Sequence, residues 1–211
     1  MVKYSKKGEN SVNKSITIGR EFGSGGREFG RRLAEELGFE YYDKEIVTEI
    51  SKHTSLSEEY VKQVVESTPH SLFPITVGHS FTYVDDYNIK RIQSVYSAME
   101  DIIKELAEKS NCVIVGRCAD YILRDYKPYR IFVYANKESK VKRCVKRMNS
   151  DETLSEKKLV KNIKELDKRR AHYYEFYTDL KWGDKKNYDL CINTSDTVIK
   201  EIVPVIAKMF K

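Results

Sequence analysis

Glycines at positions 23, 25 and 26, followed at once by Arg27 and Glu28, are the first residues whose types and spacing point to chemistry. Glycine lets a chain turn tightly with its N–H groups converging, and a helix behind the turn adds partial positive charge at its N-terminus. Such a concavity holds phosphate oxygens without any side chain. The usual pattern is GxxxxGK[ST], where lysine bridges the terminal phosphates and the hydroxyl residue holds magnesium. In ITIGREFGSGGREFGRRLAEEL (16–37), Gly26 sits where the second glycine belongs and Arg27 replaces lysine. Glu28 replaces the hydroxyl residue, and Glu21 replaces the first glycine. Arginine carries a permanent charge and a bidentate fork suited to phosphate, so the exchange at 27 is chemically intelligible. Glu28 favours the helix dipole but repels phosphate. It either ligates magnesium in the hydroxyl's place or pairs with an arginine. The competing reading of the whole loop is a tight strand-to-helix turn with its glycines there for packing.

Further arginines follow. CVIVGRCADYIL (112–123) closes an apolar run with Gly116 and Arg117. Ligands of open α/β sheets gather beyond the carboxyl ends of strands, which puts Arg117 in a crevice shared with the glycine loop. Asp43, ending FEYYD, has three readings: a magnesium ligand, a substrate-orienting group, or the cap of the next helix. ELDKRRAHYYEFYT (165–178) holds Asp167, Arg169 and Arg170, with Asp167 and Arg170 on one helical face. Arg143 and Arg147 form a second pair four apart. These clusters are either hydrated surface or an arginine set closing over a transferring phosphoryl group, a reaction that needs positioning and cations more than covalent chemistry.

Five short Val/Ile/Tyr-rich runs are expected to be strands: 15–19, 39–43, 112–116, 130–135 and 189–193. Three are apolar almost without alternation, as in strands buried on both faces. Helical periodicity covers 26–37, 89–108, 137–148 and 196–210. The alternation predicts an α/β fold with a parallel sheet wound on both sides. Residues 1–14 are expected to be a flexible tail and 15–211 one domain. Within it, residues 67–88 have two of the four prolines and mixed aromatics, and are expected to be an irregular insert. Residues 150–180 are highly charged, with a capping signal in SDETLSEKK; they form either a lid or a solvated helix pair.

The chain has 211 residues, 40% hydrophobic and 33% charged, with a net charge of +6. That balance suits a protein that handles anions. Fifteen tyrosines alongside the positive charge raise nucleic-acid binding, but no nucleic-acid motif accompanies them and acidic residues are interspersed throughout. No run approaches the ~18 apolar residues of a membrane span, so a cytoplasmic location is expected. Cys112, Cys118, Cys144 and Cys191 form no CxxC pair, and are expected to be buried reduced thiols.

With these pieces in place, the chain resembles the cytidylate-kinase-like family. The resemblance rests on ITIGREFGSGGREFGRRLAEELGFEYYDKEI, VIVGRCADYIL and DKRRAHYYEFYTDLKWGDKKNYDLCINTS, in that order. It implies a P-loop nucleoside-monophosphate-kinase core: a three-layer α/β/α fold with a five-stranded parallel sheet, a substrate-binding insert and a helical lid. It implies transfer of the γ-phosphoryl of ATP to CMP or dCMP with magnesium; a nucleotide-binding module without catalysis is the alternative. Carried onto this sequence, Gly23, Ser24, Gly25, Gly26 and Arg27 hold the donor phosphates. Asp43 lies near the acceptor nucleoside and Arg117 meets its phosphate. Arg169 and Arg170, with Arg143 and Arg147, approach from the lid. Two departures stand out: Gly26-Arg27-Glu28 replaces the family's lysine-bearing loop, and KEIVTEI follows Asp43 in place of a TGAMYR-type segment.

Overall fold

The computed structural model describes residues 13–66, 86–148 and 155–211. Five strands, β1 (Ser15–Arg20), β2 (Glu40–Tyr42), β3 (Cys112–Val115), β4 (Tyr129–Tyr134) and β5 (Leu190–Asn193), form one sheet in the order β2-β3-β1-β4-β5. Every pairing is parallel. The five expected strands are all present, with ends within one residue of the expected ones.

Both faces of the sheet are covered, which explains the apolar runs. Along β3, Cys112 and Ile114 join one buried cluster while Val113 and Val115 join the other, as the two-residue period of a strand requires. On one face lie α1 (Gly26–Leu37) and α8 (Ile199–Ala207), with Phe29, Leu33, Ala34, Ile199 and Val203 packed over Ile16, Ile18 and Ile131. On the other lie α2 (Glu45–Thr54), α3 (Glu58–Glu66), α4 (Asp86–Lys109) and the single-turn α5 (Ala119–Ile122). A helix after Asp43 was expected without bounds and is α2, whereas α3 was not anticipated from the sequence. Each has fewer than three turns, and their buried core residues are the short triads Ile46, Val47, Ile50 and Val61, Val64, Val65. Ser55, in the left-handed conformation at φ 55°, ends the first.

β1 occupies the centre of the sheet, and the chain goes to one side of it for β2 and β3 before crossing to the other for β4 and β5. That reversal opens a crevice at the carboxyl end of β1, where the glycine loop begins. Two helices bound the crevice on the far side: α6 (Lys137–Arg147) and α7 (Glu156–Thr178). The charged stretch 150–180 is thus one long helix over its described part, not a solvated pair. Ser155 caps it, accepting from Lys158 N, and Leu159, Ile163, Tyr173 and Tyr174 are buried. The tail up to residue 12 and the expected insert over 67–85 lie outside the described residues, while 86–88 begin α4. Among the described residues, no helix is long and apolar enough to cross a membrane. All four cysteines are free thiols; Cys112 and Cys118 are buried as expected, whereas Cys144 and Cys191 are only half-buried.

Candidate active site

The glycine loop is shaped before any ligand arrives. Gly25 caps α1 at φ +83°, a conformation side chains resist, and a Cβ there would overlap Ile199 Cδ1. The Ser24 hydroxyl donates to Glu21 O at 2.8 Å and accepts from Gly26 N at 3.3 Å, fully buried. Its carbonyl accepts from Thr194 Oγ1 at 2.6 Å. Ser24 therefore holds the loop together and does not line the cleft described below; any contact with phosphate falls to the neighbouring backbone.

Three charged side chains brace the loop from outside. Glu21 Oε2 accepts from Ala135 N at 3.1 Å and pairs with Lys140 Nζ at 2.7 Å. Lys140 reaches Asp167 Oδ2 at 3.0 Å, and Asp167 Oδ1 accepts from Phe22 N at 2.6 Å. Burial pulls the Lys140 ammonium's pKa down, but its hydrogen bonds to Glu21 and Asp167 outweigh this and raise it, so it stays charged.

A cleft of about 1100 Å³ runs along the carboxyl ends of the strands. The loop contributes Gly23, Gly25 and Gly26 to its wall, next to Arg20, Arg27 and Arg117. Arg143 and Arg147 project from α6, and Arg169 and Arg170 from α7. Every arginine singled out from the sequence therefore lines the same space. Asp43 and Glu28 do not.

The reasons are visible in their partners. Arg27 Nε pairs with Asp43 Oδ2 at 2.5 Å and Arg20 Nη2 with Asp43 Oδ1 at 3.7 Å, beneath the surface on the Asp43 side. Asp43 is 4% exposed and does not cap α2, whose N-cap is Lys44 without a side-chain bond. Its carboxylate is an anchor for arginines. Glu28 pairs with Arg32 at 3.0 Å and Arg147 at 3.4 Å, as the arginine-pairing reading has it.

Gly116, Arg117 and Cys118 adopt φ of 76°, 59° and 52°, three successive left-handed residues directly after β3. For arginine and cysteine this is uncommon and costs energy, and such strain clusters at functional sites. The turn carries Arg117 into the cleft, with Nη1 donating to Val65 O at 3.3 Å. Arg143 donates through Nη2 to Thr194 O and, at 3.4 Å, to Thr197 O, while its buried Nη1 has no hydrogen-bond partner. Arg170 Nη1 donates to Arg20 O at 3.2 Å.

Three further residues were not read from the sequence. Arg20 lies at the centre of the cation cluster; burial, Arg170, Arg117 and Arg27 lower its pKa to about 9, against the opposing pull of Asp43. It closes an apolar strand as Arg117 does, and that same signal would have found it. Lys140 gave no signal, because its partners are distant in sequence. Asp120 sits beside an aromatic wall of Tyr173, Tyr174, Trp182 and Tyr188. It accepts from Tyr174 Oη at 2.7 Å, and burial holds its carboxyl above the usual aspartate range.

Magnesium has no ready protein ligand set here. Among the described residues no three acidic, histidine or cysteine side chains converge, Ser24 is consumed, and Asp43 is taken by arginines. An ion accompanying a nucleotide would be held by phosphate oxygens and water.

A central strand leading through a glycine loop into a helix, within a parallel five-stranded sheet, defines a P-loop kinase fold. A shikimate kinase from Bacteroides thetaiotaomicron shares it, with a TM-score of 0.54 over 93% of this chain and 98% of that one at 13% identity. An uncharacterized protein from Eubacterium ventriosum is more similar, with a TM-score of 0.66 and 29% identity over 93% of this chain and 98% of that one. No curated protein matches the chain. The profile of the cytidylate kinase-like family matches residues 15–196, and the chain belongs to that family. Family and fold place it with kinase-like, nucleotide-binding proteins of phosphoryl transfer.

Proposed function

We propose that the protein transfers the γ-phosphoryl group of ATP to a nucleoside monophosphate, CMP or dCMP. The observation that carries this is the convergence, in one cleft, of a preformed amide-lined loop and arginines from both ends of the chain: Arg20 and Arg27, Arg117, Arg143 and Arg147, Arg169 and Arg170. Transfer between phosphates spreads negative charge over the equatorial oxygens, and preorganised cations stabilise that charge most effectively where water is excluded.

In this reading Gly23 and Gly25 offer backbone N–H groups to the donor's phosphates, helped by the positive end of α1, while the Gly26 N–H is held by Ser24 Oγ and keeps the loop in shape. Arg117 takes the acceptor's phosphate, with Arg143 and Arg147 reaching into the same cleft from α6 as further substrate-binding cations. Arg169 and Arg170 come across from α7. The Tyr173–Tyr174–Trp182–Tyr188 wall offers flat apolar surface to a base, and Asp120 a hydrogen-bonding group beside it. Magnesium, when bound with ATP, supplies charge neutralisation on the phosphates.

One observation favours a second reading, nucleotide binding without kinase activity: the loop has no lysine, and Arg27 is committed to Asp43. A thermal-shift panel of nucleoside mono- and triphosphates with magnesium, followed by ADP-release assays, separates the two. Stabilisation by ATP and ADP release on adding CMP or dCMP supports the kinase; stabilisation with no release under any common monophosphate leaves the binding module.

A further inference from the structure

The side chain of Arg20 follows an unusual route. Its stem crosses the first residue of α1, where a Cβ on Gly26 would stand 2.5 Å from Arg20 Cβ and 3.1 Å from its Cγ. Its head lies over Gly116, where a Cβ would overlap Nη1. Two positions at the heart of the cleft thus lack side chains in the volume that this one arginine uses. The helix-leading position has no side chain of its own to offer a phosphate, and Arg27, one residue on, points to Asp43. Arg20 fills the space instead.

Its charge is poorly compensated. A guanidinium has five N–H donors. Among the described residues, no side-chain hydrogen bond satisfies those of Arg20, and its ion pair to Asp43 is long at 3.7 Å. Asp43 is shared with Arg27, which holds it at 2.5 Å. Arg170, Arg117 and Arg27 all press positive charge toward Arg20. The side chain is 15% exposed, and the residue lines the cleft. A buried cation surrounded by cations is costly without an anion, and a fork of donors turned to a cavity selects a tetrahedral oxyanion.

We propose that Arg20 is the phosphate-contacting cation that replaces the loop lysine, its guanidinium binding a dianionic phosphate group between Gly116 and the start of α1. On the kinase reading above, that group is the phosphoryl in transit between donor and acceptor. Arg117 and Arg170 flank the same anion, and Asp43 sets the direction of the Arg20 and Arg27 forks from beneath.

The test uses the full chain and inorganic pyrophosphate as probe, titrated by calorimetry at fixed ionic strength with chloride as the control anion. The wild type binds pyrophosphate saturably. Arg20→Met, which keeps an apolar stem and drops the charge, weakens binding about 10- to 100-fold, the range expected for losing charge-assisted hydrogen bonds. Arg20→Lys retains part of the affinity. Should Arg20→Met fail to melt cooperatively, Arg20→Gln, which keeps a polar head and drops the charge, weakens binding in the same direction. Wild-type affinity in whichever of these variants folds, or no pyrophosphate binding by the wild type, overturns the assignment. The two proposals fail separately. Arg20-dependent pyrophosphate binding without turnover of any nucleoside monophosphate removes the kinase and keeps the anion site. Unaltered turnover in Arg20→Met removes the site and keeps the kinase.

Discussion

The Phe22 amide donates to Asp167 Oδ1 at 2.6 Å, joining the glycine loop to a helix 145 residues further along the chain. The other oxygen of Asp167 holds Lys140, which also holds Glu21. One carboxylate thus fixes a loop amide, a buried ammonium and the position of α7. Asp167→Ala leaves Lys140 with one acidic partner and Phe22 N without its acceptor. The expected loss is about 1–3 kcal/mol, measured by chemical denaturation. Asp167→Asn, which can still accept from Phe22 N but cannot neutralise Lys140, is expected to fall between Ala and wild type. Equal stability of all three would show that the brace contributes nothing.

Asp43 anchors two arginines while almost fully buried, so its removal leaves their charge facing Arg117 and Arg170 without a counterweight. Asp43→Ala is expected to lower the melting temperature in chloride and to regain more of it than wild type does on adding phosphate, since ligands of the folded state stabilise by mass action. An identical phosphate response in both proteins would contradict this.

Gly25→Ala combines a left-handed backbone with overlap on Ile199 Cδ1. The expected cost is about 1–3 kcal/mol, with nucleotide affinity falling further because the amides no longer converge. Parallel melts with and without ATP separate the two effects. A variant with wild-type ATP affinity would show that loop shape does not control binding.

Burial raises the Asp120 carboxyl above its ordinary value, so the folded protein keeps this proton to higher pH than the unfolded chain. The folded state then binds more protons than the unfolded one as pH rises from about 3.9, and this contribution to stability is lost through the folded-state value. Asp120→Asn, whose carbonyl can still accept from Tyr174, is expected to reduce the fall in stability across that acidic window. Melting curves at a series of pH values check the sign; a steeper fall in the variant would contradict it.

Much of this was legible in the sequence for a physical reason: the three inner strands are buried on both faces and must be apolar, and the two edge strands, β2 and β5, stood out by their short Tyr- and Ile-bearing runs. The glycine cluster and Arg117 were readable because local spacing alone sets what a strand end and a helix start can do. The brace was not. Lys140, Glu21 and Asp167 meet only through the crossing of α6 and α7 over the loop, and nothing in their spacing records that. The bounds of α2 and the existence of α3 were missed because three buried apolar residues apiece make too weak a period. Asp43 and Glu28 had open roles in the sequence; the structure pairs Asp43 with Arg20 and Arg27, and Glu28 with Arg32 on its own helix and Arg147 on α6.

The most direct measurement is ADP release by the full-length protein with ATP, magnesium and CMP or dCMP, run beside calorimetric titration of ATP alone. The account predicts saturable ATP binding that Gly25→Ala abolishes, and ADP release that depends on the added monophosphate. ATP binding that survives Gly25→Ala unchanged, or its absence in the wild type, would contradict the claim that this glycine loop is where the protein holds a nucleotide.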